Sequence, residues 1–196
     1  GIENGGPLPG IGEFGGRGIS ENPSVNLLHN IEGRPNDPIV LTEKAAEIGA
    51  DAAIIVNPHY YKSQMTAPVL ARYYRTVADA SPIPILIYNL PPATGMDLAA
   101  DLLAELSHHP NIVGVKEATG DLQRIARLRE LVADDFAIYS GDDATAREAI
   151  LAGANGDISV TANVAPAAMH AMCKAALAGD AAVCRIGPHC MKMIGC

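Results

Sequence analysis

Two polar side chains close apolar runs in this chain. Lys116 follows Ile112-Val113-Gly114-Val115, and Tyr88 stands near the end of the run Pro84–Asn89. A lysine at the mouth of an apolar strand is partly desolvated, which disfavours its ammonium form. A neutral amine attacks a ketone, so Lys116 is a candidate nucleophile for imine chemistry. A phenol beside an imine shuttles protons as the carbinolamine forms and collapses, which makes Tyr88 its candidate partner. Each residue also has a plainer reading. Lys116 could snorkel to water and pair with Glu117, and Tyr88 could be a core tyrosine whose hydroxyl caps a backbone group. The residues by themselves leave both readings open.

These side chains need a scaffold, and the hydrophobic pattern supplies one from Ile39 onward. Short apolar runs over 52–56, 84–89, 112–117, 136–141 and 157–162 read as buried strands. Between them lie helical periods: IVLTEKAAEIG stopped by Gly49, TAPVLARYYRTVADA opened by Thr66, DLAADLLAELSHH, DLQRIARLRELVAD capped by Asp121, DDATAREAILAG and APAAMHAMCKAALAG. Strand and helix in alternation predict an α/β fold with right-handed crossovers and a parallel sheet. Functional residues then gather at the strands' carboxyl ends. Those ends are Asn57–Tyr61, Tyr88-Asn89, Lys116-Glu117, Ser140–Asp143 and Ser159–Asn163. A closed eightfold barrel and an open doubly wound sheet both fit this pattern. No Gly-x-Gly-x-x-Gly follows a strand, which counts against dinucleotide binding.

The bulk composition narrows the class. The 196 residues suffice for one domain with a real core; 48% are hydrophobic and 18% charged. A net charge of −8, with cations scattered along the chain, argues against a nucleic-acid partner. No apolar run approaches a membrane span. The N-terminus lacks the pattern of a signal peptide, so a cytoplasmic protein is expected. Residues 1–38 are rich in Gly and Pro and read as irregular; 39–180 carry the regular pattern; 181–196 read as an irregular tail. Cys184, Cys190 and Cys196 recur evenly beside His189, but zinc ligands come in closer pairs, so no metal site is expected.

Several segments carry a resemblance in the same order and at sensible spacing. YNLPPATGMDL (88–98), NIVGVKEATGDLQRI (111–125), SGDDATA (140–146) and GDISVTANVAP (156–166) resemble the dihydrodipicolinate synthase and N-acetylneuraminate lyase superfamily. The resemblance implies a (β/α)8 barrel, here incomplete at both ends. It implies a class I lyase that condenses pyruvate with a small aldehyde, without metal or organic cofactor, as a homodimer or homotetramer. In the superfamily's synthases, which serve lysine and diaminopimelate biosynthesis, that aldehyde is aspartate semialdehyde. It further implies that Lys116 forms the imine with pyruvate and that Tyr88 relays protons there. Tyr60 matches a tyrosine that reaches a neighbouring subunit's site. Gly141 and Ile158 match backbone positions close to the bound keto acid.

The sequence also departs from the superfamily's pattern. The hydroxyl-bearing motif that holds the pyruvate carboxylate has only a faint echo in Pro9-Gly10-Ile11-Gly12-Glu13. Ala93 stands where the synthases carry an arginine for the aldehyde's carboxylate. Losing that cation would cost about 2–5 kcal/mol of binding and favours an aldolase of hydroxy-oxo acids. Asp157 occupies an apolar strand position, where an unpaired carboxylate stays protonated or costs several kcal/mol. A catalytically silent relative that binds a keto acid or only assembles with other subunits is the reading from another class.

Overall fold

In a computed structural model, the structure describes residues 37–180. Helix α1 (Pro38–Glu47) begins where Asp37 accepts a hydrogen bond from the Ile39 amide, with Pro38 in the first turn. It stops before Gly49, whose φ of +86° lies in the left-handed region that ends helices. Five β/α units follow. They are β1 (Ala53–Val56) with α2 (Ala67–Ala80), β2 (Ile85–Asn89) with α3 (Pro91–Thr94) and α4 (Ala100–Leu106), β3 (Ile112–Glu117) with α5 (Leu122–Leu131), β4 (Ala137–Ser140) with α6 (Ala146–Leu151), and β5 (Gly156–Asp157) with α7 (Pro166–Leu177). Asp121 caps α5 by accepting from the amides of Gln123 and Arg124, as its position predicts.

The five strands are parallel and lie in chain order, β1-β2-β3-β4-β5. An open doubly wound sheet reverses its order and carries helices on both faces. Here the buried residues of α2 and of α4 to α7 pack on one face. Ile55, Ile87, Val115 and Ile138 meet Leu70, Tyr74, Leu103, Leu128 and Met172 in the larger core. The other face carries a separate small cluster of Leu86, Val113, Ala137 and Tyr139, with Ile54 and Ile158 against it. A sheet with helices outside and a side-chain layer inside is an arc of a barrel.

Two features depart from the sequence expectation. The run expected to be a strand over 157–162 pairs only through Gly156 and Asp157, after which Thr161–Asn163 turn as a 3-10 helix. The Asp143 carboxylate is the cause: it accepts from both the amide and the hydroxyl of Thr161, at 2.7 and 2.6 Å, and curls the chain off the sheet. Helix α4 also starts later than its pattern, because Asn89 donates to the Asp97 carboxylate and accepts from the Leu98 amide, which holds these two residues in the linker 95–99 that follows the turn Pro91–Thr94. None of the described helices is long and apolar enough to cross a membrane. Pro9–Glu13 and the three C-terminal cysteines lie outside the described residues, as do nearly all of 1–38 and all of 181–196.

Candidate active site

The inner face is set by one irregularity between β2 and β3. Ile85 pairs with Ile112, but Leu86 pairs with Gly114, so β3 carries one extra residue at this point. Side chains alternate along a strand, and an extra residue exchanges the two faces beyond it. Ile112 therefore faces the helices and Val113 the inner cluster, while Val115 faces the helices again and Lys116 comes inward, opposite Tyr88. Gly114 allows the close approach. A Cβ there would lie 2.6 Å from the Ala137 carbonyl oxygen, a backbone atom with no room to yield.

Lys116 is 9% exposed, and its Nζ lies 4.4 Å from the centre of the Tyr88 ring. An aromatic face at that range attracts and orients an amine head group. On the other side the stem passes over Gly141. A Cβ at Gly141 would stand 2.8 Å from Lys116 Cε and 3.0 Å from Lys116 Cγ, so the lysine occupies the space the missing side chain leaves. Ile158 sits against the inner cluster and its amide donates to the Ser140 carbonyl at 2.9 Å. The structure thus places Tyr88 and Gly141 each against Lys116, with Ile158 one strand further. Tyr60 is apart from them. It is 86% exposed and meets the edge of the Tyr61 ring.

The pairing of Lys116 with Glu117 that the sequence left open does not occur. Neighbours on a strand point to opposite faces, and Glu117 faces the helix side at 2% exposure. There Arg124 Nε donates to its Oε2 at 2.7 Å, Asn89 Nδ2 donates to both of its oxygens, and the Thr119 amide reaches Oε1. Asn89 also binds Asp97 and the Leu98 amide, and Arg124 donates to the Leu98 carbonyl. This buried network ties the carboxyl ends of β2 and β3 to α5 and to the linker before α4, directly behind the lysine. A buried carboxylate needs such company.

Two groups near the site, Tyr139 and Arg124, are not singled out by the sequence, and a third, Asp157, stands out there only as an anomaly. Tyr139 pairs with Lys116 in register and faces inward; burial pushes its hydroxyl up to about 12. Its place in the alternation of FAIYSG was the available signal. Arg124 lies on the next helix and gives none. Asp157 was expected between sheet and helix layer, and its partner there is Asp143. Burial, and then the Asp143 charge and a hydrogen bond with it, push the Asp157 carboxyl up to about 8, while Lys116 and Ser140 pull the other way. Among the described residues no cluster of His, Cys, Asp or Glu is arranged to hold a metal ion.

Comparison with known proteins identifies the family. The model of the dihydrodipicolinate synthetase family matches residues 25–194. The 4-hydroxy-tetrahydrodipicolinate synthase of Alcanivorax borkumensis is 52% identical over 149 residues, which cover 76% of this chain and 50% of that protein. That of Pseudomonas aeruginosa is 49% identical, again over 76% of this chain and 50% of the relative. Among solved structures, the dihydrodipicolinate synthase of Acinetobacter baumannii complexed with pyruvate superimposes with a TM-score of 0.69 at 46% identity, covering 72% of this chain and 48% of that one. The Aquifex aeolicus synthase gives 0.68 at 38% identity, with the same coverage. The chain spans about half the length of the curated relatives it matches. Its five parallel units are an arc of a (β/α)8 barrel, and the chain belongs to the dihydrodipicolinate synthetase family.

Proposed function

We propose that this chain carries the imine-forming part of a 4-hydroxy-tetrahydrodipicolinate synthase, a class I lyase that condenses pyruvate with aspartate semialdehyde. One observation carries the reading: the buried Lys116 amine, held over the Tyr88 ring at 4.4 Å with no carboxylate of its own strand beside it. The Lys116 amine adds to the C2 carbonyl of pyruvate, and the carbinolamine loses water to give the imine. Tyr88 moves the protons of those two steps. Loss of a C3 proton yields an enamine, whose carbon attacks the aldehyde; hydrolysis then frees the lysine. The relatives' names support this reading, as does the pyruvate in the Acinetobacter baumannii synthase.

Gly141 and Ile158 frame the keto acid in this scheme, Gly141 by leaving room for the lysine stem. Tyr60, exposed beside Tyr61, is the side chain that reaches a second copy in a dimer or tetramer. A monomeric variant of dihydrodipicolinate synthase is known among the similar structures, so assembly is a property to be measured. The protein acts in the cytoplasm and its chemistry uses no metal or organic cofactor.

The second reading is an aldolase of hydroxy-oxo acids. Ala93, in the turn of α3, favours it, because a methyl group cannot receive an aldehyde's carboxylate. Borohydride reduction of the purified protein with pyruvate, followed by peptide mass mapping, tests the common step. The expected result is a pyruvate adduct on Lys116, absent in Lys116→Ala; an unmodified Lys116 rejects the lyase. Steady-state turnover of pyruvate with aspartate semialdehyde, set against pyruvate release from hydroxy-oxo acids, then separates the two substrates.

A further inference from the structure

Behind β5, three buried carboxyl oxygens have no partner at good hydrogen-bond geometry among the described residues: Asp143 Oδ1 and both oxygens of Asp157. A carboxylate pair in that state would leave two negative charges unmatched in a largely apolar layer. The pairing of Ser140 with Asp157 sets Asp157 beside the loop that carries Asp143, and Asp143 acts on it through its charge and a side-chain hydrogen bond. One proton resolves the whole set. Asp157 bound to it becomes a donor, Asp143 accepts, and a single negative charge remains.

We propose that Asp143 and Asp157 share one proton at neutral pH, and that this pair positions the segment from Ile158 to Thr161 at the mouth of the site. Asp157 is then a positioning residue that acts through Asp143. The role of that segment in pyruvate binding rests on the function proposed above; the shared proton does not. The mechanical link is direct. The other oxygen of Asp143, Oδ2, accepts from the Thr161 amide and hydroxyl, and Ile158 lies in the same short stretch, tied to Ser140. The electrical link is direct too, because the charge of Lys116 acts on Asp157.

The surroundings keep the pair in this state. From β3 the charge is Lys116; from β4 and its loop the polar groups are Ser140, Asp142 and Asp143. Asp142 is engaged with Thr145, whose hydroxyl donates to it at 2.6 Å. Helix α6 carries Arg147 and Glu148, joined at 2.8 Å. From α7 comes Cys173, whose thiol is pushed up to about 11 by burial and by both acids, and so stays neutral. The other ionisable groups of α7, His170 and Lys174, are exposed, and no described residue supplies a hydrogen-bond partner at good geometry to Asp143 Oδ1 or to either oxygen of Asp157. Above about pH 8 the pair loses its proton, two adjacent carboxylates repel, and the hold on Thr161 and Ile158 is disturbed.

Infrared spectroscopy of protein labelled with carbon-13 aspartate reads the proton without reference to activity. The expected result is a protonated aspartate carbonyl band at pH 7 that bleaches as the pH rises through about 8, and is missing from Asp157→Asn. Absence of the band at pH 7, or its persistence in the variant, overturns the shared proton. The titration of the unsubstituted protein decides this even where the variant does not fold. The positioning role is read from pyruvate trapping on Lys116 against pH. The unsubstituted protein loses trapping rate on the alkaline side, about tenfold per pH unit above the pair's titration, whereas Asp157→Asn, which still donates to Asp143, stays flat across that range. The same alkaline limb in both proteins overturns the positioning role. Failure to trap pyruvate at any pH would sink the proposed imine chemistry, with the infrared band still deciding the shared proton.

Discussion

Replacing Asp157 by asparagine should stabilise this protein, and by an amount that grows with pH. The carboxyl titrates near 3.8 when unfolded and about 8 in the folded protein, mainly because burial and Asp143 disfavour its charge. A carboxyl raised on folding contributes stability that is fully present below the unfolded value and is lost as the pH rises toward the folded one. Between about pH 4 and about pH 8 the unfolded chain releases a proton that the folded chain keeps. Each unit in that window favours unfolding by about 1.4 kcal/mol. About three units separate the unfolded value from pH 7, so the ionisable side chain costs at most roughly 4 kcal/mol there. Sharing the proton with Asp143 makes the two titrate as a unit and spreads this cost over both. The expected gain of Asp157→Asn over the unsubstituted protein is therefore roughly 2–4 kcal/mol larger at pH 7 than near pH 4. Urea unfolding followed by circular dichroism, at intervals from pH 4 to pH 8, measures it. A stability gap that stays constant or narrows as the pH rises refutes the reasoning.

Substitutions at two further positions probe the frame around Lys116. Arg124→Ala leaves Glu117, a side chain almost wholly buried, without its cation, and should cost about 3–5 kcal/mol in a denaturant melt. Arg124→Lys should restore only part of this, because a single ammonium cannot bridge the Glu117 carboxylate and the Leu98 carbonyl as the guanidinium does. Gly141→Ala brings a methyl group against the Lys116 stem and the Ala118 Cβ at 3.0 Å. The lysine stem can yield but the Ala118 Cβ cannot, so the melting temperature should fall modestly while the rate of borohydride-trapped pyruvate falls about tenfold to a hundredfold; an unchanged rate would show that the lysine has room to spare.

Much of the frame was legible in the chain. Apolar runs separated by helical periods gave four of the five strands close to their observed limits, because strands buried on both faces are written as continuous apolar segments. Gly49 and Asp121 marked a helix stop and a helix start through backbone chemistry that acts within a few residues. The fifth strand was overestimated for the opposite reason. Asp143 captures Thr161 across 18 residues, and no local pattern announces such a contact.

What the sequence determined by itself is the alternation of elements and the presence of a lysine and a tyrosine at the ends of adjacent strands. Those properties depend on residue type and on spacing along one segment. Which face the lysine takes was decided only in three dimensions. A single additional residue at Val113-Gly114 shifts the pairing of β3 with β2 and turns Lys116 toward Tyr88 and Glu117 toward Arg124. Register is a relation between two strands, so neither one encodes it alone. The same holds for Asp157, whose meaning comes from an acid on another loop.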